Sequence, residues 1–157
     1  MKKKAIGLLI VVALVLVDLL TKQVITTNIR HLEQVTVIDN FFWLTNVRNT
    51  GAAWSLFDGQ LPLLTLISFV AAVLLTRYYL KHKQMNHFEN ICMILIIAGT
   101  IGNLYDRFFL GYVRDFLSFN IVGYMFPVFN IADSCLVIGV IGLLLYTLME
   151  EKNNVEN

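Results

Sequence analysis

Charge is scarce in this chain. Only 15% of its 157 residues are Asp, Glu, Lys or Arg, and the formal net charge is +1. Soluble domains carry about 25% charged residues. A balance so close to neutral gives no basic face for nucleic acid and no acidic or basic surface for an oppositely charged partner. Cysteine is equally sparse: Cys92 and Cys135 stand inside apolar runs, without metal-type spacing. That excludes a disulfide framework and a thiolate metal site, and the expectation is a pair of buried free thiols. His31, His82 and His87 lie away from every carboxylate cluster, so no metal centre and no cofactor is expected. Repeats, low-complexity tracts and linkers are missing too.

What the chain has in quantity is apolar surface. It is 57% hydrophobic, with a mean hydropathy of +0.69. A helix crossing the hydrocarbon layer needs about 20 apolar residues. Spans are expected at roughly 5–22, 61–80, 90–109 and 129–149, within one polytopic domain covering 1–157. Lys2, Lys3 and Lys4 ahead of Ala5–Val17 resemble the start of a cleaved signal peptide. Asp18-Leu19-Leu20-Thr21-Lys22 follows instead of a small-residue cleavage site, so the first span is expected to be retained. The tail from Glu150 to Asn157 is polar and expected to fray.

Lysine and arginine orient the spans. Lys2 to Lys4 precede the first, and Arg77, Lys81 and Lys83 fill the loop between the second and third. The positive-inside rule places both segments and both termini in the cytoplasm. Segments 26–60 and 110–127 then lie outside. They are too apolar for plain loops: Val35, Val37, Phe41, Trp43 and Leu44 alternate in part, and Phe116–Tyr124 resembles them, with Gly123 as a turn. Unpaired backbone is costly near lipid, so these pieces are expected to pair into a small extracytoplasmic β-cradle. Trp43, Trp54 and Tyr124 suit the headgroup layer.

On this topology the polar residues gather at the outer face. Asp18 and Lys22 close the first span, Asn49 and Gly51 lie in the outer segment, and Asn103, Asp106 and Arg107 occupy the outer half of the third span. Asp115 and Asp133, 18 residues apart, flank the last connection. The inner halves are nearly devoid of polarity, which argues against a transport pathway through the whole thickness. A carboxylate at the bilayer centre costs about 2.5–3.5 kcal/mol, so two at one depth point to a shared task. The leading task is aspartic protease chemistry, with one carboxyl protonated, one ionised and a water between.

Other roles compete. Asp18 and Lys22 are one turn apart and pair as an interfacial anchor. Arg107 either snorkels to the headgroups or tunes a carboxylate, and Asp106 pairs with Arg107. Gly99 and Gly102 serve close helix packing. Asn130 caps the fourth helix or holds an active carboxylate, and Asp39 and Asp58 are solvated. A serine–lysine dyad of Lys22 with Ser55 or Ser134 remains open, weakened by Asp18 keeping Lys22 charged. So does a binding or transport module that holds a cation or lipid headgroup on the acidic pair.

Five motifs occur in order: Asp18-x-x-Thr21-Lys22; Asn49-x-Gly51-Ala52-Ala53-Trp54; Gly99-x-x-Gly102-Asn103-x-x-Asp106-Arg107; Val113-x-Asp115-Phe116; and Phe129-Asn130-x-Ala132-Asp133. Together they make the chain resemble lipoprotein signal peptidase, or signal peptidase II, a bacterial four-span aspartic protease. Two positions depart from that pattern: Ala98 stands where a glycine is usual, and Arg114 where an apolar residue precedes the aspartate. Arg114 is expected to act on the pH profile of the dyad. The resemblance implies Asp115 and Asp133 as the catalytic pair, supported by Asp18, Lys22, Asn49, Gly51, Asn103, Arg107 and Asn130. It also implies a monomer in the bacterial cell membrane with no cofactor. Its substrates would be prolipoproteins carrying diacylglycerol on a cysteine, cut on the N-terminal side of that cysteine, and its inhibitor the cyclic peptide globomycin.

Overall fold

Four apolar stretches become four long helices because nothing inside them interrupts the hydrogen-bond ladder. The computed structural model describes residues 2–51, 59–82 and 84–155, with side chains described as far as Glu151. Ala52, Ala53, Trp54, Ser55, Asp58 and Lys83 lie outside the described residues. The order is α1 (Lys2–Asn28), β1 (Gln34–Ile38), β2 (Phe42–Asn49), α2 (Leu61–Lys81), α3 (His87–Phe109), β3 (Val113–Ile121), β4 (Tyr124–Met125) and α4 (Ile131–Val155). All four helices are long and apolar enough to cross a membrane, and the chain is a multi-pass membrane protein.

Local signals set the helix ends. Pro62 opens α2 at a position where a missing N–H costs nothing. Asn86 and Glu89 form a capping box at the start of α3, each side chain taking the other's main-chain N–H. Near the end of α1 the hydroxyls of Thr21, Thr26 and Thr27 donate to carbonyls one turn back, so these polar groups are satisfied within the helix.

α3 is the central element. Half of its membrane window is buried, against 17% for each of the other three, so the others present most of their surface to lipid. Val11, Tyr79, Met93, Ile94, Ile97 and Ala98 form the main apolar core where α1 and α2 meet α3. Between α3 and α4 the contact is nearly backbone on backbone. A Cβ at Gly99 would collide with the main-chain oxygen of Ala132, and one at Gly139 would lie 2.8 Å from that of Cys92. The two cysteines are free and buried.

The strands form one antiparallel sheet, in the order β1-β2-β3-β4, at the bundle end where α1 and α3 finish and α2 and α4 begin. Val122 and Gly123 both take left-handed conformations, with φ of 52° and 83°, giving the tight turn that joins β3 to β4. A register shift between Leu44 and Val47 interrupts the β2–β3 ladder. There Asn46 turns inward and donates to the Ile29 carbonyl at 2.8 Å, tying β2 to the end of α1. Phe116 fills the space below, against Ile25 and Ile29.

Candidate active site

Strand alternation decides what each residue of β3 can reach. Residues 114, 116 and 118 share one face, and 113, 115 and 117 the other. Val47 stands opposite Asp115 in the β2–β3 register, and Asn49 opposite Val113, so Asn49 is the diagonal neighbour of Asp115. Its Nδ2 donates to Asp115 Oδ2 at 2.8 Å. Its Oδ1 accepts from the Gly51 N–H at 2.9 Å, which orients the amide.

The far side of Asp115 is supplied by the approach to α4. Phe129 is bridged to Leu117, with Phe129 N–H donating to the Leu117 carbonyl at 3.1 Å. This pairing delivers Asn130 beside Asp115, and Asn130 Nδ2 donates to Asp115 Oδ1 at 2.6 Å. Asn130 is also the cap of α4: its Oδ1 accepts from Asp133 N–H at 2.9 Å, and its own N–H donates to Asp133 Oδ2 at 3.1 Å. Asp133 therefore occupies the acidic position of a capping box, where the partial positive charge of a helix start favours a carboxylate.

Asn103 of α3 completes the frame. Its Nδ2 donates to Asp133 Oδ1 at 2.6 Å, and its Oδ1 accepts from Asn130 Nδ2 and Lys22 Nζ, both at 3.1 Å. All four oxygens of the two aspartates thus have a donor, every one of them from an asparagine.

Beneath this frame lies a buried group of charges. Lys22 Nζ sits 2.8 Å from Asp18 Oδ2 and 3.3 Å from Asp106 Oδ2. Asp18 Oδ1 accepts from the N–H of Ala132 at 2.9 Å, so it too serves the first turn of α4. The expected Asp18–Lys22 pair is formed, and both residues are buried in the protein. Lys22 is surrounded by two carboxylates and an amide oxygen, and Ser134 directs its hydroxyl to the Asn130 carbonyl. The serine–lysine arrangement with Ser134 is therefore not formed, and Ser55 lies outside the described residues.

One expected pairing gives way to others. Asp106 does not pair with Arg107, because neighbours in a helix point about 100° apart. It binds Lys22 and Arg114 instead. Arg107 reaches the other way, towards the Gly51 carbonyl and Ser68 Oγ, each at 3.5 Å, and its buried Nε has no hydrogen-bond partner among the described residues. Arg114 stands next to Asp115 in sequence but faces away from it, onto Asp106 and Gln23. Sequence reasoning missed Gln23, Ser68 and the Arg114–Asp106 pair. Phasing β3 by alternation would have found the last of these.

The environment of Asp115 is dry: the residue is 3% exposed. Burial, followed by the charge of Asp133, raises its pKa to about 7, against the pull of the Asn49 and Asn130 hydrogen bonds and of Lys22. The arrangement can therefore keep a proton on one carboxylate beside an ionised partner at neutral pH. Among the described residues no three His, Cys, Asp or Glu side chains come together as a metal site.

The family model described as Signal peptidase (SPase) II matches residues 10–149. The chain belongs to the signal peptidase II family. A Staphylococcus haemolyticus protein named lipoprotein signal peptidase is 38% identical over 159 residues, covering 99% of this chain and 100% of the relative. One of the same name from Staphylococcus aureus is 39% identical over 157 residues, covering 99% and 96%. Two solved bacterial membrane enzyme structures share the fold, each at 38% identity. One superposes with a TM-score of 0.88 over 95% of this chain and 91% of that one. The other gives 0.82 over 92% and 93%. Membership of the signal peptidase II family makes the protein a protease, and its two buried carboxylates are consistent with the aspartic type.

Proposed function

We propose that this protein removes the signal peptide from bacterial prolipoproteins already carrying diacylglycerol on a cysteine, cutting N-terminal to that cysteine, with Asp115 and Asp133 as the catalytic pair. The observation that carries the residue assignment is the shared frame. Asn49, Asn103 and Asn130 donate to all four carboxylate oxygens, and Asn130 touches both aspartates. Amide donors stabilise an ionised carboxylate without adding a cation that would strip the second proton.

The chemistry follows from one proton shared by two groups. The ionised aspartate takes a proton from water, which attacks the scissile carbonyl. The protonated aspartate hydrogen-bonds the carbonyl oxygen and then helps protonate the leaving amine. Asn49, Asn103 and Asn130 hold the carboxylates. Asp18 and Lys22 hold the start of α4 and Asn103, Gly51 orients Asn49, and Arg107 offers to the peptide an Nε that no described residue fills.

The sheet end of the bundle is assigned to the outer face of the cell membrane, with both termini in the cytoplasm. Lys2 to Lys4, Arg77 and Lys81 all lie at the opposite end. The acyl chains of the substrate stay in lipid while its peptide meets the dyad at fixed depth, a positioning effect. The protein acts as a monomer in membrane lipid and is inhibited by globomycin, as the family resemblance implies.

The test is cleavage of a diacylglyceryl prolipoprotein by the purified protein in detergent, beside Asp115→Asn and Asp133→Asn with folding verified. Loss of the signal peptide with wild type alone is expected. Cleavage by either variant would remove these residues from the chemistry.

A further inference from the structure

The charges under the dyad balance only because of Arg114. Asp18 and Asp106 bring two negative charges, and Lys22 brings one positive charge. All three are at most 1% exposed. Arg114, 7% exposed, supplies the fourth charge. It holds Asp106 with Nη2 on Oδ1 at 2.7 Å, Nε on Oδ2 at 3.2 Å and its main-chain N–H on Oδ2 at 3.0 Å. Its Nη1 donates to Gln23 Oε1 of α1 at 3.3 Å. One residue therefore joins β3 to both α3 and α1, immediately before Asp115.

We infer that Arg114 is a positioning residue for the reaction: it pins the strand that carries Asp115 and occupies Asp106, so that Lys22 remains directed at Asn103. This rests on the assignment of Asp115 and Asp133 as the catalytic pair. Asp106 Oδ2 takes three donors, and of these the Lys22 contact is the longest at 3.3 Å. Without the guanidinium, Lys22 is the one ion-pair partner left to Asp106 among the described residues, and it is drawn off Asn103 Oδ1. Asn103 then loses part of what aims its Nδ2 at Asp133.

The second effect is electrostatic. Among the described residues the charged groups around the dyad are Asp18 and Lys22 from α1, Arg48 from β2, Asp106 and Arg107 from α3, Arg114 from β3, and the two aspartates themselves. Arg48 stands opposite Arg114 in register but is exposed and lies over the Tyr112 ring. Removing Arg114 leaves a net negative charge buried beneath the carboxylates and strengthens their hold on protons. Both limbs of the pH–rate profile then move to higher pH.

The test compares wild type, Arg114→Val, Arg114→Lys and the double variant Asp106→Asn/Arg114→Val, each purified in detergent and assayed on a diacylglyceryl prolipoprotein across pH. For Arg114→Val we expect kcat to fall roughly ten- to hundredfold with little change in KM, and both limbs to shift upward. Arg114→Lys should return the limbs to their wild-type positions and recover only part of kcat, because an ammonium cannot make the forked contact. The double variant should also restore the limbs. Unshifted limbs in Arg114→Val, with a rate loss matching its folded fraction, would overturn the inference. Wild-type turnover surviving in Asp115→Asn would instead overturn the assignment of the catalytic pair, which is a separate outcome.

Discussion

Asn130 holds Asp133 through a reciprocal capping box, its side chain bonding the Asp133 main chain at 2.9 Å and its main chain bonding the Asp133 side chain at 3.1 Å. The same side chain grips Asp115 at 2.6 Å. Asn130→Ala should therefore lose more than a helix cap. The cap itself is worth about 1 kcal/mol, while the freed carboxylates should cost turnover roughly a hundredfold. Thermal unfolding measured beside kcat separates the two. A rate loss no larger than the folded fraction explains would contradict this role.

If Asp115 and Asp133 act as the proposed pair, Asp115, with its pKa raised to about 7 by burial and by the charge of Asp133, should set the alkaline limb of activity. As pH rises through about 7 the dyad gives up its remaining proton and the acid is lost. Turnover should fall above that point, measured as kcat against pH with saturating substrate.

The same shift has a consequence for stability, of opposite sign to that of a salt-bridged carboxylate. The folded state holds the Asp115 proton up to about pH 7, while an unfolded aspartate releases it near 3.9. Its contribution to stability is complete below the lower value and drains away as pH rises to the higher. Asp115→Asn cannot ionise. The melting temperature of Asp115→Asn relative to wild type should rise from pH 4 to pH 8, and a flat difference would refute the shift.

Lys22→Met should be the most damaging single change in the buried charge group. It strands Asp18 and leaves Asp106 to Arg114 alone, a loss of about 3–5 kcal/mol for a broken buried pair. Asp18→Asn, which keeps an acceptor for the Ala132 N–H, should cost less. Denaturation of both variants in detergent gives the ranking.

Gly99→Ala places a methyl group against the Ala132 carbonyl and 2.8 Å from the Leu136 nitrogen, both backbone. α4 must shift, and Asp133 moves with it. In Gly102→Ala the new methyl meets the Asp18 carboxylate at 2.8 Å and the Ala132 Cβ at 3.0 Å, and both are side chains. Gly99→Ala should be the less stable and the less active of the two.

Much of this architecture is legible in the chain because a bilayer makes simple demands. Apolar runs must be long, so the helices around Val11, Ala72, Ile97 and Cys135 announce themselves. The sheet is visible in Val35, Val37 and the Gly123 turn. The partner of Asp106 is legible only at one remove, since residues at 106, 107 and 114 offer several pairings that the phase of α3 and of β3 must separate. Gln23 and Ser68 carried no signal at all. An uncharged polar residue near a helix end is ordinary until a guanidinium is delivered to it from elsewhere in the fold.

Both aspartates, two of the three asparagines that hold them, and Arg107 lie on the stretch running from α3 through β3 to the first turn of α4. The N-terminal half contributes Asn49 and the charges of Asp18 and Lys22. On the proposed assignment the molecule divides into a working half and a supporting half, joined at the connection between α2 and α3. Separately expressed halves that reassociate would tell how far the chemistry depends on its support, since the β2–β3 ladder and the contacts of Asp18, Lys22, Gln23 and Asn49 all cross the cut.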